Sequence, residues 1–142
     1  MKVVFLDFDG VLNPERNYGA DCNFSKAAVK NLNTLLEKEP DLKIVISSAW
    51  RHKGIMFCKE VLIKNGVNSQ RRVIGITDMK NDGERGDNIK RFLENRNEIN
   101  KFVILDDRRD MADLKDNLVK VSPIHGLTEK DVEKALEILK NS

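Results

Sequence analysis

Short apolar segments alternate with longer segments of helical periodicity along most of the chain. Five of the apolar segments are rich in valine, isoleucine and leucine, which is typical of strands buried on both faces of a sheet. These segments are residues 3–6, 43–47, 72–76, 102–105 and 118–121. Because strands that alternate with helices favour a parallel sheet, the pattern predicts an α/β fold, a doubly wound, Rossmann-like three-layer sandwich of about five strands.

Four helices are predicted between and after these strands. Segments 25–38, 53–64 and 86–95 each place apolar residues on one stripe, as a helix packed on a sheet requires. The last helix follows Thr128, a natural N-cap, and carries acidic residues in its first turn. Segment 77–85 is polar and contains glycine, so it is predicted to be a loop within the domain.

Length and composition narrow the class of protein. A chain of 142 residues with 40% hydrophobic content favours a single domain over residues 1–142. Lys and Arg number 25 against 23 Asp and Glu, so the net charge of +2 neither indicates nor excludes nucleic acid. The cysteines, Cys22 and Cys58, are too few for a disulfide scaffold, and a reducing cytoplasmic location is expected. No membrane association is expected, because no apolar run approaches the roughly 20 residues of a membrane span.

Two carboxylates follow the first predicted strand, in the sequence FLDFDGV. Because side chains alternate along a strand, Asp7 and Asp9 point to one side while Phe8 points into the core. Parallel α/β sheets bind ligands at this carboxyl edge. Two like charges in one small space are costly unless a cation neutralises them or one keeps a proton, so the pair is a candidate reactive site. The alternative is a pair of turn-forming aspartates before Gly10.

The fourth predicted strand ends in the same way, in FVILDDRRD. Asp106 and Asp107 follow that strand directly, and we expect them to meet the first aspartate pair at the carboxyl edge. A cluster of aspartates without histidine or cysteine favours Mg²⁺ over zinc or copper. Asp110 has two open interpretations, an N-cap for a following helix and a residue that helps to hold the metal site.

Several polar residues at other element ends are candidates for binding an anion. Ser47 ends the second strand, where its hydroxyl could donate to an anionic oxygen or cap the next helix. Arg51 follows in the same loop and either meets an anion or is solvated. Arg85 stands where a loop meets the third helix, and its charge could neutralise a phosphoryl group. Lys90 is the second candidate for that cation, with the solvated face of the helix as its alternative.

In chain order, an aspartate pair, a serine, a cation and a second aspartate pair at successive element ends resemble the haloacid dehalogenase (HAD) superfamily of phosphohydrolases. The specific motif is DxDG after a hydrophobic strand, and the others count through their order and spacing. Arginine in place of the usual lysine is a departure that keeps the charge. The resemblance implies that Asp7 is the nucleophile and that Asp9 is the general acid and base. It implies that the phosphate is bound by Ser47 together with Arg85 or Lys90. The implied Mg²⁺ ligands are Asp7, Asp9, Asp106 and Asp107, with Asp110 as an alternative to Asp107.

The resemblance implies phosphomonoester hydrolysis in two steps through an aspartyl phosphate. Asp7 would attack phosphorus, and Asp9 would protonate the leaving oxygen and later deprotonate the attacking water. Mg²⁺ would offset the repulsion between the carboxylates and the anionic substrate. The alternatives are phosphoryl transfer to an acceptor other than water, a general small-molecule or nucleotide phosphatase, and a non-catalytic module that binds a phosphate or a partner protein.

The gaps between the motifs are too short for the sizeable cap domain that members of this superfamily often carry. An open site would admit large phosphorylated substrates. Loop 12–20, with Arg16 and Tyr18, would form a short flap, and Tyr18 and Trp50 either stack on a base or serve in packing.

A narrower similarity is carried by FLDFDGVLN, SSAWR, RGDNI, VILDD and GLTEKDVEKAL. Together these segments look like the compact phosphatase domains of RNA-repair proteins and, more distantly, the 3′-phosphatase half of polynucleotide kinases. This similarity implies a phosphorylated substrate, with oligonucleotide 3′-phosphate ends as a hypothesis. The sequence leaves the oligomeric state open.

Overall fold

The computed structural model describes residues 1–14 and 23–140, which form a five-stranded parallel sheet. The strands are β1 (Lys2–Leu6), β2 (Lys43–Ile46), β3 (Val73–Ile76), β4 (Lys101–Asp106) and β5 (Leu118–Lys120). Their order is β3-β2-β1-β4-β5, so the chain builds outward from β1 in one direction and then crosses to the other side of it. The predicted doubly wound α/β fold is confirmed, and the change of direction between β1 and β4 creates the crevice where such sheets bind ligands.

Helices cover both faces of the sheet and complete the three layers. They are α1 (Lys26–Lys38), α2 (Ile55–Lys64), α3 (Arg85–Leu93) and α4 (Glu129–Lys140). Alternate residues of β1 enter two separate cores, with Val4 and Leu6 packing under α1, α2 and α4. Val3 and Phe5 pack under α3 instead. Burial of the strands on both faces explains their nearly continuous apolar sequences.

The second helix begins later than the sequence pattern predicts. Residues Ala49–Lys53 form a 3₁₀ turn, and α2 starts only at Ile55. Gly54 separates them with a φ of 93°, a backbone conformation that an α-helix cannot contain. The third helix begins one residue earlier than predicted, which places Arg85 in its first turn.

Among the described residues no separate cap domain is present, because the segment between β2 and α3 contains the 3₁₀ turn, α2, β3 and the loops that join them. The predicted flap falls largely on residues 15–22, so Arg16, Tyr18 and Cys22 lie outside the described residues. No helix in residues 1–14 and 23–140 combines the length and apolarity needed to span a membrane. The interpretation of residues 1–142 as one domain stays a prediction.

Candidate active site

A row of polar side chains crosses the carboxyl edge of the sheet. The N–H groups of Asp7, Ser47 and Thr77 each donate to a carbonyl of the neighbouring strand at 3.0 or 3.1 Å, so these residues extend the strand ladder by one position. The residue before each of them packs into the core under α1, α2 and α4. Because side chains alternate, the row itself points to the face that α3 covers. Across the sheet its order is Thr77, Ser47, Asp7 and Asp106.

Three carboxylates meet at one end of this row. Asp7, Asp106 and Asp107, hereafter the acidic cluster, each place an oxygen within 4.8 Å of the others. Asp7 and Asp106 are buried and Asp107 is half-buried. Asp107 can approach because Gly10 has no side chain, since a Cβ there would lie 2.5 Å from the Asp107 carboxyl carbon. The glycine of the DxDG segment is thus required by the second aspartate pair, which the sequence places almost a hundred residues later.

Arg85 is buried against the acidic cluster. Its Nη1 donates to Asp106 Oδ2 at 2.8 Å and lies 3.4 Å from Asp7 Oδ2. The first turn of α3 is anchored by Asp110, whose Oδ2 accepts from the Arg85 N–H at 3.1 Å and whose carbonyl accepts from the Gly86 N–H at 2.9 Å. Asp110 therefore holds the start of the helix that carries Arg85. It caps no helix of its own, because no α-helix follows it until α4.

The acidic cluster holds more negative charge than the surrounding described residues neutralise. Burial and the nearby Asp106 carboxylate raise the pKa of Asp7 well above its ordinary value, and Arg85 only partly opposes them. Burial also raises the pKa of Asp106 despite its bond to Arg85. The Arg85 guanidinium contacts two of the three carboxylates, those of Asp7 and Asp106. A cluster of three carboxylates that offers only oxygen ligands fits a hard divalent cation. Asp7, Asp106 and Asp107 are the residues that would hold it.

Asp9 lies outside the acidic cluster, and its carboxylate is held by two neutral donors. Oδ1 accepts from Asn13 Nδ2 and Oδ2 accepts from Trp50 Nε1, both at 3.0 Å. The Trp50 ring stacks on Phe57, with the ring centroids 6.1 Å apart, which gives Trp50 a packing role. The two donors fix the orientation of the Asp9 carboxylate, as general acid and base catalysis requires. The prediction that Asp9 is a metal ligand stays a prediction.

Ser47 presents a buried hydroxyl without a partner. Its side chain is fully buried, and its Oγ makes no hydrogen bond with the described residues. Ser47 does not cap the following 3₁₀ turn. Ser48 caps it instead, because its Oγ accepts from the Trp50 N–H. Buried hydroxyls nearly always have a partner, so the unpartnered Ser47 Oγ next to Asp7 marks a position for a ligand atom or an ordered water.

Comparison with known proteins agrees with this arrangement. A sequence model of the HAD domain in Swiss Army Knife RNA repair proteins matches residues 3–132. The chain belongs to this family. The match runs from β1 into the first turn of α4, so it includes the acidic cluster, Ser47 and Arg85. Comparisons with curated proteins and with solved structures find no significant match.

The structure of this HAD domain distinguishes between Arg85 and Lys90, the two candidates for the third-motif cation. Lys90 is 46% exposed and forms an ion pair with Asp113, with Nζ 3.1 Å from Oδ1. Of the two candidates for the third-motif cation, the structure brings Arg85 to the acidic cluster and leaves Lys90 on the outer surface of α3. The reason is helical geometry, because the first turn of α3 faces the sheet edge and Lys90 lies more than a turn further along.

Arg51 of the HAD domain is buried, although its sequence context gave no reason to prefer burial over solvation. Its guanidinium donates to the carbonyls of Ser47, Ser48 and Asp78 at 3.2, 2.8 and 2.9 Å. Burial and the neighbouring Arg85 lower its pKa. Arg51 therefore ties the end of β2 to the end of β3 and fixes the two hydroxyl-bearing positions relative to each other.

The loop after β3 is organised by the carboxylate of Asp78. Its carboxylate accepts from Arg91 Nε at 2.6 Å, from Asn88 Nδ2 at 2.6 Å and from the Lys80 N–H at 3.1 Å. These bonds hold the pKa of Asp78 well below its ordinary value, and the bond from Arg91 has the largest effect. A lowered pKa contributes stability above the unfolded value of about 3.9 that is lost as pH falls below it.

We expect Asp78→Asn to reduce the free energy of unfolding by about 1 kcal/mol at pH 7, a value limited by the partial exposure of the ion pair. The difference from wild type should shrink as pH falls below about 4. Urea unfolding at pH 7 and pH 3 tests this, with Asp113→Asn in an exposed ion pair as the matched control. An equal difference at both pH values would contradict the assigned role.

Proposed function

We propose that this HAD domain is a Mg²⁺-dependent phosphomonoester hydrolase. The observation that supports it most is the order of the row, in which Asp7 lies between the unpartnered hydroxyl of Ser47 and the Arg85–Asp106 pair. A nucleophile that attacks a phosphoryl group needs anion-binding donors beside it, and the Ser47 hydroxyl and the Arg85 guanidinium are two such donors. Mg²⁺ suits the remaining negative charge of the acidic cluster.

The proposed reaction uses the residues of the site in two steps. Asp7 Oδ2 attacks phosphorus, so that an aspartyl phosphate bond forms as the ester P–O bond breaks. Asp7 Oδ1 accepts from the Phe8 N–H at 2.9 Å, which leaves Oδ2 on the side of Arg85. Ser47 Oγ donates to a phosphoryl oxygen, and Arg85 stabilises the charge on the phosphoryl group.

Asp9 serves as the proton carrier of the proposed reaction. It protonates the leaving alkoxide in the first step and takes a proton from water in the second, which releases inorganic phosphate and restores Asp7. The donors Asn13 and Trp50 keep its carboxylate in place between the steps. When Mg²⁺ is bound, its charge offsets the repulsion between the carboxylates and the phosphate.

We further propose that the substrates are 3′-phosphorylated ends of polynucleotides. The chain belongs to a family of HAD domains that occur in RNA repair proteins, which supports this substrate class. The described residues also form no cap domain over the carboxyl edge, which suits a bulky substrate. Small metabolites would be poorly enclosed by such a site.

The substrate proposal is tested by comparing matched phosphomonoesters. The full chain with Mg²⁺ is assayed on one RNA oligonucleotide carrying a 3′-phosphate, on the same oligonucleotide carrying a 5′-phosphate, and on para-nitrophenyl phosphate. We expect kcat/KM for the 3′-phosphate to be highest by at least about tenfold. Equal cleavage of all three would contradict the substrate class while leaving the phosphatase chemistry intact.

Binding of Mg²⁺ is expected to stabilise the protein through the acidic cluster. At a concentration a hundredfold above its Kd, a ligand of the native state adds about 2.7 kcal/mol, or roughly 5–10 °C in Tm for a domain of this size. We expect Asp107→Asn to weaken Mg²⁺ binding at least about tenfold, and Asp113→Asn to leave it unchanged. Thermal melts across a Mg²⁺ series measure this, and an equal shift in all three proteins would contradict the site.

A further inference from the structure

Thr77 presents a second unpartnered hydroxyl beside that of Ser47. It is 1% exposed, and its Oγ1 makes no hydrogen bond with the described residues. The pairing of Ile46 with Ile76 makes Ser47 and Thr77 direct neighbours on β2 and β3. Among the residues the structure describes, Ser47 and Thr77 are the two with buried hydroxyls that lack any partner, and they lie side by side.

A buried hydroxyl is unfavourable at this position unless something binds it. Valine has nearly the shape of threonine and would fill the same space without leaving a polar atom unpaired. The two hydroxyls make no bond to each other, so each is free to reach the same third atom. Neighbouring strands lie about 4.8 Å apart, a spacing at which two hydroxyls can each contact one shared oxygen at about 2.7 Å.

The surroundings of the pair suit an anionic oxygen. Arg51 bonds to carbonyls at the ends of both β2 and β3, which fixes the separation of the two hydroxyls. The nearest carboxylate in sequence, Asp78, is already engaged by Arg91 and Asn88. On the other side of Ser47 the row continues directly to the proposed nucleophile, Asp7.

We propose that Thr77 is a phosphate-binding residue, and that its hydroxyl and that of Ser47 hold one phosphoryl oxygen between them. This inference rests on the proposed phosphomonoester hydrolase function and adds a residue to its binding site. Thr77 and Ser47 then bind the phosphoryl group on the side of Asp7 opposite to Arg85.

The test is the affinity of the full chain for inorganic phosphate in the presence of Mg²⁺, measured by isothermal titration calorimetry. We expect Thr77→Val to raise the Kd for phosphate about tenfold, as loss of one hydrogen bond to an anion does. The Tm of the ligand-free variant should not fall below that of wild type. Thr34→Val is the matched control, because its hydroxyl bonds within α1, away from the site.

Thr77→Ser and Thr77→Ala form a second pair that differs only in the hydroxyl, which keeps the test valid if valine disturbs the fold. We expect the serine variant to bind phosphate like wild type and the alanine variant to bind about tenfold more weakly. Equal affinity in wild type, Thr77→Val and Thr77→Ala would overturn the assignment of Thr77 alone and leave an ordered water as its partner. Absence of phosphate binding by the wild type would overturn this inference, whereas the proposed function is overturned by absence of phosphate release.

Discussion

Asp7→Asn is expected to abolish phosphomonoester hydrolysis while the protein stays folded. An amide cannot attack phosphorus, so we expect kcat/KM to fall by at least about 10⁴-fold. Burial and Asp106 raise the pKa of Asp7, which means that the site disfavours its negative charge. Replacing that charge with a neutral amide of the same shape should leave the Tm of the Mg²⁺-free protein at or above the wild-type value.

Phosphate release, circular dichroism and thermal melts together check this expectation. Asp113→Asn, the same substitution in an exposed ion pair, is the control and should retain wild-type activity. Turnover by Asp7→Asn above about a hundredth of the wild-type rate would rule out Asp7 as the nucleophile.

Arg85→Met is expected to have the second largest effect, on both activity and stability. Its guanidinium bonds to Asp106 and lies close to Asp7, and all three side chains are buried. Removing one partner of a buried ion pair typically costs about 3–5 kcal/mol, because the remaining charges lose their compensation. We also expect kcat/KM to fall at least about 100-fold, since the charge that stabilises the phosphoryl group is lost.

Arg85→Lys separates the role of charge from that of shape. Lysine keeps the charge but has a single ammonium group in place of the planar fork, so we expect intermediate activity. Lys90→Met on the same helix is the control and should change kcat/KM by less than about twofold, because Lys90 pairs with Asp113. A larger loss in Lys90→Met than in Arg85→Met would contradict the choice of cation.

The part of the fold that the sequence predicts well is the part that depends on local pattern. Strands buried on both faces leave continuous apolar segments, which is why the sequence predicts all five to within one residue at either end. Asp7 and Asp106 follow such strands, and the parallel topology brings them to one edge. The start of α2 was predicted wrongly, because apolar periodicity does not reveal that Gly54 adopts a positive φ.

The parts that sequence reasoning missed depend on contacts between distant segments. Thr77 opens a polar loop, and nothing in that loop shows that its hydroxyl is buried beside Ser47 without a partner. Arg51 is buried because its guanidinium donates to backbone carbonyls, one of which belongs to Asp78 after β3. The bond from Trp50 to Asp9 likewise joins two loops. The available signal for Thr77 in the sequence is its position as a hydroxyl residue at the carboxyl end of a predicted strand, a position that Ser47 shares.

The proposed function of this HAD domain is hydrolysis of phosphomonoesters with the help of Mg²⁺. The most direct measurement is inorganic phosphate released by the purified full chain from a 3′-phosphorylated RNA oligonucleotide, with Mg²⁺ and with excess chelator. Phosphate release that requires Mg²⁺, returns when Mg²⁺ is restored and extends to other phosphomonoesters at lower rates is the predicted result. Absence of release from the oligonucleotide, nucleotides, phosphopeptides and para-nitrophenyl phosphate alike, by folded protein that binds Mg²⁺, would contradict it.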